Sequence, residues 1–260
     1  MEQWSQFLSA LLLAFLRVSG MMVFAPFFSA RSLPNVTKAM FTLAVAYLLA
    51  PLVAALPHAE ATLSFAAILG ELAVGLIYGM TLALLNEMLL FAGQIIGVQF
   101  SFSLVNLLDP TSQIQTPLMG ELLQLMGMLV LLSAGLDRIL LDSLIRSFRA
   151  APLGMFAMKP ATPPLIVEAV SGVFLAALEL AAPVLAATML VEVAISLVSK
   201  LSPQLPAMSL SVPMKTLTGF ALLAGSLALW PRFIEARFNG LLDFAQRLIA
   251  ASVTGHAVGG

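Results

Sequence analysis

Between Gly97 and Gly120 the chain reads GVQFSFSLVNLLDPTSQIQTPLMG. The stretch holds one charge, Asp109, and a run of Ser, Asn, Thr and Gln. Long apolar segments flank it on both sides. It is too polar for a helix facing lipid and too apolar for a solvated loop. Asp109-Pro110 stops a helix from continuing, because a proline ring crowds the preceding residue out of the α region. Irregular backbone at membrane depth is tolerated only where protein or a water-filled cavity covers it. A chain with such a stretch near its middle is expected to be a helical membrane protein with a sheltered interior.

Composition points the same way. Of 260 residues, 60% are hydrophobic and 10% charged, with a mean hydropathy of +1.03. An ordinary soluble domain carries about 25% charged residues. So apolar a chain belongs to the membrane class. The net charge is −1 and the basic residues are scattered, so no nucleic-acid face is expected. There is no cysteine, which excludes disulfides and thiolate chemistry. Arg17 lies inside the first apolar run rather than before it, and no small-residue cleavage site follows. The N-terminal segment is therefore not read as a signal peptide.

Working outward from the central stretch, hydropathy predicts helices over about 6–28, 39–56, 63–98, 117–149, 165–200 and 213–251. Turns fall at Arg31–Lys38 and His58–Glu60, a Pro- and Met-rich loop at Ala151–Pro164, and a Pro-containing turn at Leu201–Val212. A break is expected at Ala134-Gly135 in the fourth segment. Residues 1–253 read as one integral membrane domain and 254–260 as a flexible tail.

Two features do not fit a simple bundle of spans. Arg17, Glu71, Glu87, Glu121, Glu179 and Glu192 interrupt the apolar runs. Each charge placed in lipid costs at least about 2.5–3.5 kcal/mol, so these helices should face protein or water. The third and fifth segments, each roughly 35 residues, would run about 50 Å against a hydrocarbon core of about 30 Å. They should be kinked, tilted or folded into hairpins, with Gly93, Gly97 and Pro183 as candidate bends. The basic turns add a third difficulty. Arg31 and Lys38 mark one loop and Arg146, Arg149 and Lys159 another, yet three predicted crossings separate them. The positive-inside rule wants both on one side, so one intervening segment should not span.

The remaining polar residues admit more than one reading. Arg17 is either a gating residue or the structural partner of a carboxylate in the same bundle, and the pair is the simpler reading. Glu168 and Glu179, eleven apart, share a helix face, which suits a subunit contact or a wet wall better than a proton relay. Gly75 and Gly79, like Gly93 and Gly97, have the small-x-x-x-small spacing that lets helices approach closely. Met21, Met22, Met126 and Met128 read as core. His58 and His256 are isolated, and no metal site, cofactor site or catalytic constellation emerges. From residues alone the central stretch is either a packing loop or a plug, and the chain either a conduit part, a scaffold or a secondary transporter with broken helices. A transporter should show internal repeats, and none is clear.

An ordered series of motifs narrows this. Arg17-x-x-Gly20 is followed by Pro26 and the Arg31–Lys38 turn. Then come Gly70-Glu71-x-x-x-Gly75-x-x-x-Gly79, Ala92-Gly93-x-x-x-Gly97-x-Gln99 leading to Asp109-Pro110, and Ser143 with Pro152-Leu153-Gly154. Ala182-Pro183, Pro203-Gln204-Leu205 and Pro213-x-Lys215 complete it. Over nearly the whole chain this resembles the FliR family of type III secretion export-gate subunits.

The resemblance implies an all-α, polytopic membrane-associated fold of long kinked helical hairpins, similar to a fusion of the two smaller gate subunits. It implies no enzyme activity and no cofactor. Implied partners are FliP and FliQ, the large export-gate subunit at the cytoplasmic side, and unfolded flagellar proteins as cargo, in the bacterial inner membrane. A virulence-associated injectisome gate is the alternative within the same family. The central loop is implied to plug the pore: Phe100, Ser101, Phe102, Ser103, Leu104, Val105, Asn106, Leu107, Leu108, Asp109, Pro110, Thr111, Ser112, Gln113, Ile114 and Gln115. Helix packing and assembly are assigned to Gly70, Glu71, Gly75, Gly79, Gly93, Gly97, Pro183, Pro203, Gln204 and Lys215, and a buried charge to Arg17.

Overall fold

A computed structural model describes residues 2–24, 34–56, 62–100, 118–156, 162–202, 204 and 207–252. Among them the secondary structure is helical, with no β-strand. The order is α1 (Glu2–Phe24), α2 (Asn35–Ala54), α3 (Phe65–Gln99), α4 (Leu118–Ser133), α5 (Leu136–Ala150), α6 (Thr162–Leu201), α7 (Ala207–Ser226), a 3-10 turn (Leu227–Leu229) and α8 (Trp230–Ser252). The polytopic all-α fold expected from hydropathy is the fold observed. Five described helical stretches are long and apolar enough to cross a membrane: Gln6–Phe24, Asn35–Ala54, Phe65–Gln99, Val170–Leu201 and Ser209–Ala250. α4, at 16 residues, extends about 24 Å and falls short of a core of about 30 Å.

The chain divides into two compact units. The first comprises Met1–Leu85, Gly135–Val170 and Arg237–Gly260; the second comprises Asn86–Ala134 and Ser171–Ala236. In the first, α1 packs on α2. The buried stripe of α2 is Thr42, Ala46, Leu49, Ala50 and Val53, spaced as one face of a helix. Phe7 meets Tyr47 edge-on, with ring centroids 6.2 Å apart. The opposite face of α2 presents Val36, Met40, Leu43, Leu48 and Leu52 outward. Such a face belongs against lipid or another protein, not water.

In the second unit the end of α3 and α4 form an antiparallel hairpin. Gly93 lies on Gly120, Gly97 touches Met119, and Gly127 faces Leu89. The Gln124 side chain donates to the Asn86 carbonyl at 3.4 Å. α8 carries its own stripe: Trp230 and Ile234 are buried in this unit, while Phe238, Leu242, Ala245, Leu248 and Ile249 are buried in the first.

Several boundaries depart from the hydropathy reading. The described part of α1 runs to Phe24, and the expected end at Phe28 lies outside the described residues; α6 begins at Thr162, ahead of Pro163 and Pro164. Prolines are tolerated in a first helical turn because their missing N–H has no partner there anyway. α7 starts at Ala207, not Pro213, so most of the expected turn is helical and Pro213 lies inside the helix, beyond its first turn. Gly93 and Gly97 do not interrupt α3, and Pro183 sits inside a continuous α6. The break at Ala134-Gly135 is present: Gly135 has φ 68, ψ 25, the left-handed conformation that commonly follows a helix end.

Gly135→Ala should destabilise the protein by about 1–2 kcal/mol, the cost of a Cβ in the left-handed region. Gly172, in helical backbone with open space around it, should act oppositely on replacement by Ala, gaining about 0.5–1 kcal/mol. Unfolding midpoints of the purified variants in mild detergent check both signs.

Candidate functional site

The first unit is organised around a charge that no water reaches. Arg17 on α1 and Glu71 on α3 both have 0% side-chain exposure, and Arg17 Nε donates to Glu71 Oε2 at 2.6 Å. The rest of the guanidinium is also engaged. Nη2 donates to the Ala151 carbonyl at 2.9 Å, and Nη1 to Ser147 Oγ at 3.4 Å. The guanidinium carbon stands 4.1 Å from the centroid of the Phe148 ring, a cation–π arrangement. Glu71 Oε1 accepts from the Gly154 backbone N–H at 3.0 Å. Both carboxylate oxygens and all three guanidinium nitrogens therefore have partners. One pair ties together α1, α3, α5 and the turn after α5.

That turn is shaped for the purpose. Met155 N donates to the Pro152 carbonyl at 3.2 Å, and Gly154, with φ 78, occupies the third position. A type II turn needs a positive φ there, and a residue with a Cβ would strain it. α5 is amphipathic for the same site. Leu140, Ser143, Leu144, Ser147 and Phe148 are buried, while Asp142 and Arg146 pair on the exposed side at 2.7 Å.

Close approach of α1 and α3 makes the pair possible. A Cβ on Gly75 would overlap the Arg17 carbonyl oxygen, and one on Gly79 would come within 2.8 Å of the Met21 carbonyl oxygen. Gly20 faces the same seam from α1, its Cβ position 3.0 Å from the Leu72 carbonyl oxygen. Gly93 is equally closed, against Gly120 and Met119. Gly70 and Gly97 are looser: a Cβ there would make ordinary contacts of 3.4 and 3.6 Å with Phe156 and Met119. The close-packing spacings read from the sequence thus bring helices of this chain together.

The second unit holds another ion pair. Lys215 Nζ on α7 meets Glu192 Oε2 on α6 at 2.9 Å, with the lysine side chain 11% and the glutamate 57% exposed. At the end of α3, Gln99 Oε1 accepts from the buried Thr188 hydroxyl at 3.3 Å. Phe100, also buried, packs against Phe220 with ring centroids 4.9 Å apart.

Of the expected site residues, Ser101 to Gln115 and Pro203 lie outside the described residues. Gln204 is exposed in a turn, and Pro183 is exposed on α6. Glu87, Glu121, Glu168, Glu179 and Glu192 all lie on exposed positions; Met21 and Met22 are core. The sequence reading missed Ser147 and the Ala151 carbonyl as Arg17 partners, and Gly219 as a neighbour of Phe100. Gly154 stood in a recognised motif, but nothing in its spacing pointed to Glu71.

Arg17→Met should destabilise the protein by about 3–5 kcal/mol, since it leaves Glu71 charged and buried with one backbone donor. Adding Glu71→Leu should recover much of that loss. Folded yield and unfolding midpoint measure both; equal midpoints for the single and double variants would show that the stranded carboxylate is not the cause.

The comparisons extend over almost all of this architecture. The protein is 25% identical over 253 residues to the flagellar biosynthetic protein FliR of Escherichia coli strain K12, covering 96% of each chain. It is 28% identical over 254 residues to the protein of that name from Bacillus subtilis strain 168, covering 93% of this chain and 95% of the relative. With the Caulobacter vibrioides protein of the same name it shares 26% identity over 235 residues, 89% and 93% of the two chains. The match to the bacterial export proteins, family 1, runs over residues 8–241. It takes in the buried pair, both glycine seams and every helix from α1 into α8, and the chain belongs to that family.

Proposed function

We propose that this chain is a subunit of the flagellar type III protein export gate. With FliP and FliQ it would form the inner-membrane channel through which unfolded flagellar proteins leave, and Phe100–Gln115 would plug the resting pore. The observation that carries the reading is near end-to-end similarity to relatives named for flagellar biosynthesis, on a scaffold with five membrane-length helical stretches. Those names favour a flagellar over an injectisome gate.

Physical features support a part that assembles rather than one that stands alone. α6 exposes Leu190, Val193, Leu197 and Leu201 along one stripe and, round the helix from them, the half-exposed carboxylate Glu192, paired with Lys215. Lipid would suit the leucines and penalise the carboxylate. A neighbouring subunit or a water-filled wall accommodates both. A conduit needs no catalytic group, and energy for transport would come from other components, with the large export-gate subunit delivering cargo at the cytoplasmic side. The plug assignment rests on chemistry. Phe102, Leu104, Val105, Leu107 and Leu108 supply bulk that closes a hole by packing and dewetting. Ser101, Ser103, Asn106, Thr111, Ser112, Gln113 and Gln115 supply partners for non-helical backbone in a partly wet lumen. Asp109 is the lone charge, so neither sign of passing cargo is held strongly.

The deciding experiment removes Ser103 to Gln113 and purifies the chain from its native host with whatever co-elutes. The expected result is a complex that still contains FliP and FliQ and, once reconstituted, conducts small ions well above the parent complex. An intact complex with parental conductance overturns the plug. A chain recovered alone from the unmutated host overturns the gate.

A further inference from the structure

Phe100 was assigned with the plug, yet its surroundings are those of an anchor. It is 1% exposed. Its backbone N–H continues the α3 ladder to the Ile96 carbonyl at 3.0 Å. Its ring tilts at 39° against Phe220. Beneath the ring lies Gly219, where a Cβ would overlap the ring atoms Cε1 and Cζ. Only glycine leaves that notch on α7 deep enough for a phenyl ring. One residue earlier, Gln99 Oε1 lies 3.3 Å from the buried Thr188 hydroxyl on α6, whose single proton also has the Val184 and Leu185 carbonyls at 2.9 and 3.1 Å. The last turn of α3 is thus held chiefly by apolar fit to α7, with a polar contact to α6 beside it.

We propose that Phe100 is a positioning residue rather than part of the plug. Its ring, locked on Gly219, sets where the chain leaves α3. The proposal rests on the plug reading of the residues that follow. A segment that closes a pore by packing must start from a defined point, because a displacement smaller than one side chain is enough to let water through. Close-packed contacts with discrete seated and unseated arrangements suit this better than a flexible tether. A phenyl ring in a glycine notch has that character.

The test uses the whole complex and exploits shape. Gly219→Ala should unseat the ring and raise the ion conductance of the reconstituted complex several-fold with composition unchanged. Phe100→Leu, which keeps the side chain out to Cδ and lacks Cε1 and Cζ, should also raise it by emptying the notch. Combined, the smaller side chain fits over the added methyl, and conductance should fall back toward the parent value. A merely structural role would not predict that recovery in an assembled complex. Parental conductance in both single variants, while removal of Ser103 to Gln113 leaks, overturns the positioning role and leaves the plug standing. Parental conductance in all three returns the failure to the plug reading. If one single variant does not assemble, the other decides: raised conductance supports the role and parental conductance overturns it.

Discussion

Taking a guanidinium and a carboxylate out of water costs several kcal/mol for each ion, and their attraction repays this only if every remaining donor and acceptor is matched. Arg17 and Glu71 meet that condition through elements far apart in sequence: a serine on α5, a carbonyl where α5 ends, and a glycine N–H in the following turn. The consequence is geometric. α1 and α3 lie close along a seam lined with glycine, and the pair joins them by a 2.6 Å contact. α5 must turn a serine and a phenylalanine inward. The next turn must offer an N–H at one defined place. The first unit is arranged so that one pair is satisfied in a dry interior, and replacing Arg17, Glu71 or Ser147 by an apolar residue takes a partner from a buried polar group.

The second unit is held by different means. Its hairpin of α3 and α4 depends on backbone-to-backbone approach at Gly93 and Gly120, and its charged pair, Lys215 with Glu192, is half open. A half-open pair tolerates a change of neighbours at small cost, whereas a closed one does not. On the proposed reading, the buried pair lies where the chain is permanent and the open pair where other subunits meet it. The outward surface of α6 fits the same division, since neither water nor lipid alone suits both its leucines and Glu192.

Much of the fold was legible. Hydropathy located the membrane-length helices, and Gly135 marked the break between α4 and α5. The over-long third and fifth segments are single helices: in α3 a glycine costs only about 1 kcal/mol and serves packing instead of bending, and α6 runs on through Pro183. The site was less legible. Arg17 called for a carboxylate, but five interrupted the apolar runs and nothing in their spacing selected Glu71. Gly219 carried no signal at all, being a lone glycine in an apolar helix.

By itself the sequence determined that this protein is helical, that it belongs in or against a membrane, and which of its stretches is neither lipid-facing nor solvated. Those conclusions rest on hydropathy, helix propensity and proline geometry, which belong to each residue and its near neighbours. Only the tertiary structure decided that Glu71 is the partner of Arg17, that the glycine spacings serve contacts within the chain, and that Phe100 sits in a notch on α7. Those outcomes depend on which helix faces meet, and a buried pair or a close contact is a property of two surfaces that no single segment carries.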